Sequence, residues 1–306
     1  MTASYYQSRG RWSVRAGEWL LFALAWSLRW LTWPLPTWAL SGLLAPFGGV
    51  VAVAVPYYRR RAEENLALVW PDRPRAEHRR IIRAAGAEFA RLMVEYTQLD
   101  KAIHGLEVKV AGAEHLLAAR QAGKGAVLVT AHYGNWEAAR LAALRLGCET
   151  GIMYRAFNNR YADRFALDFI RCAGRPVLQK GWQGMRQLVA HVERGGFVMI
   201  LVDQRNSGAP FIDFLGRPAE TSTGAADVAQ RTGAALIPVR AVRNAAARRF
   251  DVTFEAPVTG DDSRAMMAEV NQRIGAWIEA APEQWFWFHR RWRSTARSRP
   301  RAEREG

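Results

Sequence analysis

From residue 105 onwards, short apolar runs alternate along the chain with longer segments of mixed polarity. The apolar runs predict strands at 106–110, 126–131, 150–154, 197–202 and 235–242, and the intervening segments predict helices at 113–121, 136–146, 160–172, 184–194 and 222–232. This alternation is typical of an α/β domain: a single mixed or largely parallel sheet flanked by helices. Functional groups in such sheets collect beyond the carboxyl ends of the strands, so candidate chemistry is sought there.

The first 57 residues have a different pattern, because Arg29 is the only charged residue between Trp19 and Val55. A spanning helix takes about 20 apolar residues. The first candidate covers roughly 16–33, with Arg29 near its end, where a long basic side chain can reach the membrane interface. We therefore expect 1–57 to be a membrane-anchoring helical segment that spans the bilayer or lies in it. A hydrophobic helical pair that covers a soluble domain is the alternative, and basic residues on both sides leave the topology open.

The segment 75–99 predicts an amphipathic helix, with apolar residues spaced by three and four. We expect it to pack under the domain; a role on the membrane surface is the alternative. With no long linker after it, 58–292 is predicted to form one domain. The remaining residues, 293–306, are rich in arginine and predict a basic, mobile tail.

A histidine follows the predicted strand 126–131 directly. His132 lies at its carboxyl end, Gly134 permits a turn, and Asn135 is a good N-cap for the helix that begins after it. Glu137 then falls in the first helical turn, where the helix dipole favours a carboxylate. This arrangement predicts that Glu137 orients His132 and that His132 acts as a general base. A hydrogen-bonded structural histidine is the alternative reading.

Polar residues also follow three other predicted strands. Arg155 comes after 150–154, where a guanidinium could bind phosphate or stabilise an oxyanion, or be an ordinary surface arginine. Asp203 and Gln204 come at the end of 197–202, where an acid could position a hydroxyl, hold an arginine or only cap the next loop. Arg240 lies near the end of 235–242, and the adjacent Pro238 argues against a fully hydrogen-bonded central strand there.

Composition narrows the class of partner. The chain has 43 Lys and Arg against 28 Asp and Glu, a net charge of +15, which favours anionic partners. Many of its 13 tryptophans lie near the ends of apolar segments, and this favours a lipid surface. The two cysteines show no metal-ligand spacing, so we expect a reduced chain without a metal site. No recognition-helix or RNA-binding motif is present, so a nucleic-acid partner is not expected.

Several ordered motifs carry a family resemblance. The run Ala-His-Tyr-Gly-Asn-Trp-Glu at 131–137 resembles the His-x4-acid motif of the glycerolipid acyltransferase superfamily, in the form found in the lipid A biosynthesis acyltransferases, the lauroyl and myristoyl transferases. The runs Tyr-Arg at 154–155, Asp-Gln at 203–204 and Ile-Pro-Val at 237–239 are similar to further blocks of that family. The aromatic and basic run at 284–292 resembles its terminal block and contains His289, Arg290 and Arg291.

The resemblance implies an acyltransferase of the bacterial inner membrane, with its catalytic domain on the cytoplasmic side. It implies transfer of a fatty acyl chain from acyl carrier protein, or from acyl-CoA, to a hydroxyl of a Kdo-bearing lipid A precursor. The expected partners are acyl carrier protein, an anionic glycolipid and membrane lipids, with no cofactor besides the acyl donor.

For the mechanism we expect direct transfer without a covalent intermediate. His132 would be the base, Glu137 its orienting acid, and Arg155 or a backbone amide near Gly134 the oxyanion donor. The expected substrate-binding residues are Asn135, Asp203, Gln204, Arg240, His289, Arg290 and Arg291. Two alternatives are an enzyme of the same superfamily that acts on another lipid, such as a phosphatidylinositol mannoside, a lysophospholipid or an aminoacyl lipid, and a noncatalytic basic protein that binds membranes.

Overall fold

The apolar runs of the sequence form the interior of one twisted sheet. The computed structural model describes residues 12–98, 100–101, 105–156 and 159–292, so the predicted tail at 293–306 lies outside the described residues. The strands in chain order are β1 Val108–Ala111, β2 Ala126–Thr130, β3 Thr150–Tyr154, β4 Val177–Gln179, β5 Phe197–Leu201, β6 Phe211–Phe214, β7 Arg217–Glu220, β8 Ala235–Asn244 and β9 Arg249–Phe254.

Seven of these strands form the main sheet, in the order β1-β9-β8-β2-β5-β3-β4, and β6 pairs with β7 in a separate hairpin. All neighbours in the main sheet run parallel except β8 and β9, which are antiparallel. The predicted fold class, a largely parallel mixed sheet flanked by helices, is confirmed.

Strand β8 is central, contrary to the expectation drawn from Pro238. It pairs in parallel with β2 up to Pro238 and in antiparallel fashion with β9 from Val239 onwards. The proline lies where one pairing gives way to the other, so its missing amide hydrogen costs little.

The described helices are α1 Trp12–Thr32, α2 Thr37–Ala54, α3 Pro56–Val69, α4 Arg75–Thr97, α5 Ala113–Gln121, α6 Trp136–Arg145, α7 Arg160–Cys172, α8 Trp182–Glu193, α9 Gly224–Thr232 and α10 Ser263–Ala280. They cover both faces of the sheet. Alternate residues of β2 point to opposite faces, so that Val127 and Val129 join one core cluster and Ala126 and Leu128 join another. The first cluster includes α9 and α10, and the second includes the alanine face of α6.

Two glycines let α2 pack closely on α4. A Cβ atom at Gly48 would lie 2.4 Å from Cβ of Ala90, and one at Gly86 would lie 2.4 Å from Cβ of Ala52. Such close contact requires residues without side chains on both helices. Helix α4 therefore supports α2 as well as the domain, which extends the packing role predicted for it.

The apolar segment differs in detail from its prediction. Among the described residues, α2 at Thr37–Ala54 is the helix that is long and apolar enough to cross a membrane, judged by length and composition. The helix at the first predicted candidate, 16–33, is α1, which does not meet the same criterion of length and composition.

Arg29 is buried, and Asp100 accepts a hydrogen bond from its Nη2 at 2.8 Å. The guanidinium also lies 4.4 Å from the ring centroid of Trp33 and 5.0 Å from that of Phe169. Arg29 thus fastens α1 to the domain and does not reach outwards to a membrane interface, as the sequence led us to expect.

Candidate active site

Two neighbouring parallel strands bring a histidine and an acid to the same edge of the sheet. Thr130 of β2 is in register with Leu201 of β5, and the amide of Val202 donates to the carbonyl of Thr130 at 2.9 Å. His132 and Asp203 each follow two residues later. Because both strands run in the same direction, these side chains meet beyond the carboxyl ends, where functional groups of parallel sheets gather.

Asp203 holds His132 by two hydrogen bonds. Nδ1 of the imidazole donates to Oδ1 of Asp203 at 2.7 Å, and the backbone amide of His132 donates to Oδ2 at 2.9 Å. Nε1 of Trp285 donates to the same Oδ2 at 2.8 Å, and Asp203 is 0% exposed. With Nδ1 as the donor, the imidazole has its lone pair on Nε2.

The charge state of Asp203 follows from this arrangement. Burial alone raises the pKa of its carboxyl group, but the charge of His132 and the hydrogen bonds from it outweigh burial and hold the pKa well below its usual range. Asp203 is therefore a carboxylate at neutral pH. It fixes the tautomer of His132 and stabilises the imidazolium that forms when Nε2 takes a proton.

Nε2 of His132 is the reactive atom of the pair, since the side chain is 22% exposed. Nε2 of the Gln204 amide lies 3.4 Å from it and is oriented to donate. The rings of Trp136 and His132 are 5.4 Å apart in an edge-on arrangement, which leaves the imidazole edge accessible.

Glu137 does not occupy the orienting position that the sequence predicted. It is 0% exposed, its Oε2 accepts from Nη1 of Arg140 at 2.5 Å, and its Oε1 accepts from the hydroxyl of Tyr96 at 2.5 Å. The first turn of α6 directs this carboxylate along the helix towards residue 140, one turn further on. The acid that contacts His132 is Asp203.

The turn between His132 and α6 follows the predicted chemistry. Gly134 has φ of 58°, and a Cβ there would lie 1.9 Å from the carbonyl of Ala241, so only glycine fits. Asn135 caps α6, with Oδ1 accepting from the amides of Glu137 and Ala138. The amide of Gly134 donates to the carbonyl of Gln284 at 2.9 Å, so it is already engaged and does not fit the expected role of oxyanion donor.

Two cavities meet at His132, and Tyr96, Trp136 and Gln204 line both of them. The first, of about 470 Å³, is the apolar cavity, whose walls include Phe89, Leu92, Met93, Phe169 and Phe286. The second, of about 750 Å³, is the basic cavity, whose walls include Arg155, Lys180, Trp182, Arg205 and Asn206. The base therefore lies between a site suited to a hydrocarbon chain and a site suited to a polar, negatively charged group.

Comparison with known proteins identifies the family of the chain. The model of the bacterial lipid A biosynthesis acyltransferase family matches residues 7–294. The chain belongs to this family. The resemblance drawn from the motifs is confirmed, and the chain is a member of a family of acyltransferases.

Its relatives within the lipid A acyltransferase family act on different lipids, according to their names. The chain is 30% identical over 201 residues to the phosphatidylinositol mannoside acyltransferase of Mycobacterium tuberculosis, an alignment that covers 64% of this chain and 61% of that protein. It is 26% identical over 284 residues to the lipid A biosynthesis palmitoleoyltransferase of Escherichia coli, covering 87% and 88% of the two chains. The lipid A biosynthesis lauroyltransferase of Escherichia coli is 25% identical over 264 residues, covering 80% and 83%.

The other residues predicted from the family motifs divide into two groups. Arg155 and Gln204 line the cavities at His132, and Arg155 is exposed. Neither cavity is lined by the remaining predicted substrate contacts, which are Asn135, Arg240, His289, Arg290 and Arg291.

Three of these residues have structural partners that explain their place in the motifs. Nδ2 of Asn135 donates to Oε2 of Glu95 at 2.8 Å. Arg291 is buried beneath the hairpin and donates to the carbonyl of Glu220 at 2.9 Å, and burial lowers its pKa to about 10. His289 donates from Nε2 to the carbonyl of Asp203 at 3.1 Å. His289 thus supports the loop that carries the acid.

Sequence reasoning missed several contributors to the site. Trp285 lies in the aromatic run at 284–292, but the hydrogen bond from its indole to Asp203 was not predicted. Trp136 and Tyr96 line both cavities, and Nε1 of Trp136 donates to the hydroxyl of Tyr96 at 3.1 Å. Lys180 follows a short strand that the apolar pattern did not reveal. The strands β2 and β5 were predicted, but their pairing was not, so the contact between His132 and Asp203 was missed.

Proposed function

We propose that the protein is an O-acyltransferase that moves a fatty acyl group from a thioester donor to a hydroxyl of an anionic membrane glycolipid. The observation that carries this proposal is the position of His132. It is held by the buried Asp203 carboxylate at the junction of an apolar cavity and a basic one. Direct transfer needs these parts: a base, a place for the acyl chain and a place for a charged headgroup.

The proposed reaction proceeds through His132 as general base. Nε2 takes the proton of the acceptor hydroxyl while its oxygen attacks the thioester carbonyl, and the carbon–sulfur bond then breaks. The departing thiolate takes the proton back from Nε2, so atoms and charge balance. General-base assistance of this kind contributes about 10²–10⁴-fold to the rate. No covalent acyl-enzyme, metal ion or cofactor enters this scheme, because a thioester is already activated.

Two side chains suit the stabilisation of the tetrahedral oxyanion. The amide of Gln204 lies within 3.4 Å of the reactive nitrogen and would be released when the acceptor hydroxyl takes its place at Nε2. Arg155 lies at the carboxyl end of β3 on the wall of the basic cavity. A donor amide or a guanidinium near the developing charge supplies part of the transition-state binding.

The apolar cavity is the proposed site of the donor's acyl chain. Its walls come from α4, from α7 and from the segment around Phe286, and most of their exposed surface is apolar. We infer that acyl carrier protein delivers the chain, with acyl-CoA as the second candidate. Acyl carrier protein is acidic, and the net charge of +15 favours its approach.

Exposed apolar side chains support membrane association. Trp30 and Leu31 of α1 and Trp38, Leu43 and Phe47 of α2 are all exposed. Phe89 and Met93 are also exposed, and both line the apolar cavity, so exposed apolar side chains are present at its wall as well. An apolar surface of this extent is rare on proteins that have no lipid or protein partner. We infer attachment to the bacterial inner membrane, with the catalytic domain on the cytoplasmic side, where acyl thioesters are made.

For the acceptor we propose a Kdo-bearing lipid A precursor. The names of the three relatives reported above mention lipid A or a mannosylated lipid. The longest of the three alignments is to the palmitoleoyltransferase. A phosphatidylinositol mannoside is the second candidate, supported by the 30% identity to the mycobacterial protein. Both are anionic glycolipids, and the basic cavity suits either. A nucleic-acid partner does not form part of the proposal.

The experiment that tests the function is an acyl-transfer assay with purified protein in detergent. Acyl carrier protein and CoA thioesters of several chain lengths are each combined with a lipid A precursor and with a phosphatidylinositol mannoside, and products are identified by mass spectrometry. We expect transfer to one acceptor and its loss in His132→Ala. If His132→Ala retains near-normal transfer, the mechanism is wrong. Salt-sensitive lipid binding without any turnover would support the noncatalytic alternative instead.

A further inference from the structure

Three neighbouring strands of the sheet are each followed by a cation on the wall of the basic cavity. Strands β5, β3 and β4 are adjacent and parallel. Arg155 follows β3 directly, Lys180 follows β4 directly, and Arg205 comes four residues after β5. These three residues are called the strand-end cations below. Since adjacent strands lie about 4.8 Å apart, the carboxyl ends of these three strands span roughly 10 Å.

The surroundings of the strand-end cations leave most of their charge available. No aspartate or glutamate is among the described residues that line the basic cavity. Arg155 and Lys180 are exposed, and neither forms an ion pair with another described residue. Arg205 is different, because its Nε donates to Glu220 at 2.5 Å, so part of its charge is balanced. The cavity therefore has a net positive potential that comes chiefly from Arg155 and Lys180.

A helix terminus adds to the same wall. Helix α8 begins at Trp182 and runs for 12 residues, and its N-cap residue, Gly181, provides no side-chain cap. Gly181 and Trp182 both line the basic cavity, and Trp182 is 80% exposed. Uncapped amides at the positive end of a helix favour the binding of an anion. Here they supply hydrogen-bond donors next to the positive charge of Lys180.

We propose that the strand-end cations and the start of α8 bind a phosphate ester carried by one of the two substrates. This rests on the proposed function, since it assigns a ligand group to the polar side of the same site. Phosphate suits the arrangement because it combines negative charge with several acceptor oxygens, which a guanidinium, an ammonium and helix amides can share. The phosphate comes either from the pantetheine arm of the donor or from the headgroup of the acceptor.

The test uses two pairs of probes whose members differ only by a phosphate. One pair is 4′-phosphopantetheine and pantetheine, and the other is a lysophosphatidate and the monoacylglycerol of the same chain length in detergent micelles. Binding is measured by calorimetry on full-length His132→Ala protein, so that the result does not depend on turnover. Lys180→Gln is compared with Lys124→Gln, an exposed lysine just before β2 at the opposite edge of the sheet.

We expect the phosphate-bearing member of at least one pair to bind about tenfold more tightly than its partner. Lys180→Gln should remove most of that difference and leave the phosphate-free member unchanged, and Lys124→Gln should have no effect. The pair that shows the difference identifies the source: phosphopantetheine indicates the donor, and lysophosphatidate indicates the acceptor.

Three results would overturn the proposal. They are no preference for phosphate in either pair, an equal loss for both members of a pair in Lys180→Gln, and an equal effect of Lys124→Gln. Arg155→Gln provides a second variant at an exposed position, for which the same selective loss is expected. A failure of acyl transfer with intact phosphate preference would count against the proposed function and not against this site.

Discussion

Two buried carboxylates follow His132 in the sequence, one five and one 71 residues later, and they have different surroundings. Asp203 accepts hydrogen bonds from His132 and Trp285, and through His132 it is connected to both cavities. Glu137 accepts from Arg140 and Tyr96 and is as fully buried as Asp203. Glu137, which is close to His132 in the sequence, thus binds other interior side chains. Asp203, which is 71 residues away, binds the imidazole.

The contacts of Arg140 show what the second carboxylate does. Its guanidinium donates to the carbonyls of Thr150 at 3.1 Å, Ile170 at 3.2 Å and Gly174 at 2.6 Å. Glu137 balances the charge of an arginine that joins α6 to β3 and to the end of α7. The comparison teaches that the acid of the His-x4-acid motif stabilises the helix that follows the base, while the neighbouring strand supplies the acid that orients the imidazole.

The largest effect is expected for Asp203→Asn. Loss of the carboxylate removes the group that stabilises the imidazolium, so kcat/KM for acyl transfer should fall about 10²–10⁴-fold. The rate is measured with the acceptor that the assay above identifies. Asp261→Asn, at an exposed position before α10, is the matched control and should be neutral. A near-normal rate for Asp203→Asn would remove the distinction between the two acids.

The next largest effect is expected for Glu137→Gln, on stability. The substitution leaves the buried guanidinium of Arg140 without a counter-charge, which costs about 3–5 kcal/mol of unfolding free energy. Chemical denaturation measures this loss, and Glu193→Gln on the exposed face of α8 is the control. The activity per folded molecule should fall much less than in Asp203→Asn. A large loss of rate with unchanged stability would instead make Glu137 the orienting acid.

The free energy of unfolding is expected to change with pH by roughly 3 kcal/mol because of His289, which lies next to Asp203. Burial lowers the pKa of His289 to about 4, from an ordinary value of 6.5. Between these values the unfolded chain binds more protons than the folded chain, so stability falls as the pH falls from 6.5 to 4. Asp203, whose pKa is held below its usual range, contributes stability above about pH 4 that is lost at lower pH.

Denaturation curves across this range check the pH effect. His289→Gln should reduce the loss of stability between pH 6.5 and 4 by roughly 3 kcal/mol, whatever its effect on stability at neutral pH. Substitution of the half-buried His115 by Gln is the control, and the wild-type slope should remain. An unchanged slope in His289→Gln would show that the ring is not buried in its neutral form beside Asp203.

The smallest effect is expected for Asn135→Ala, which belongs to the Glu137 side. It removes the cap that accepts from the amides of Glu137 and Ala138, at a cost of about 1 kcal/mol. It also removes the donor to Glu95, although Arg243 still binds that carboxylate. Thermal unfolding measures the change, and Asn135→Ser should recover part of it. A loss of rate far larger than the loss of stability would show direct contact with substrate.

Much of the fold could be predicted from the apolar pattern, because long and regular elements dominate that pattern. The helix predicted at 75–99 corresponds to α4, and the strand predicted at 150–154 coincides with β3. The elements outside the prediction are β4, the β6–β7 hairpin, β9 and α10. Strand β4 has only three residues and lies at the edge of the sheet, so its sequence is little different from that of a loop.

The candidate site was predicted in part for a related reason. His132, Arg155 and Gln204 follow strands whose carboxyl ends form one edge, and the structure brings them to the cavities there. Arg291 was predicted from its motif, but its side chain lies beneath the hairpin, which no local pattern indicates. Contacts between residues far apart in sequence depend on the order of the strands, and that order is decided by packing of the whole sheet.

The sequence by itself determined the alternation of elements, the turn at Gly134, the cap at Asn135 and the place of His132 at a strand end. These features depend on backbone conformation and on periodicity, which act over a few residues. Only the tertiary structure decided that β5 lies beside β2, and hence that Asp203 is the acid that contacts His132. The physical reason is that the pairing of strands, and with it the acid that reaches the imidazole, is set by contacts between distant parts of the chain.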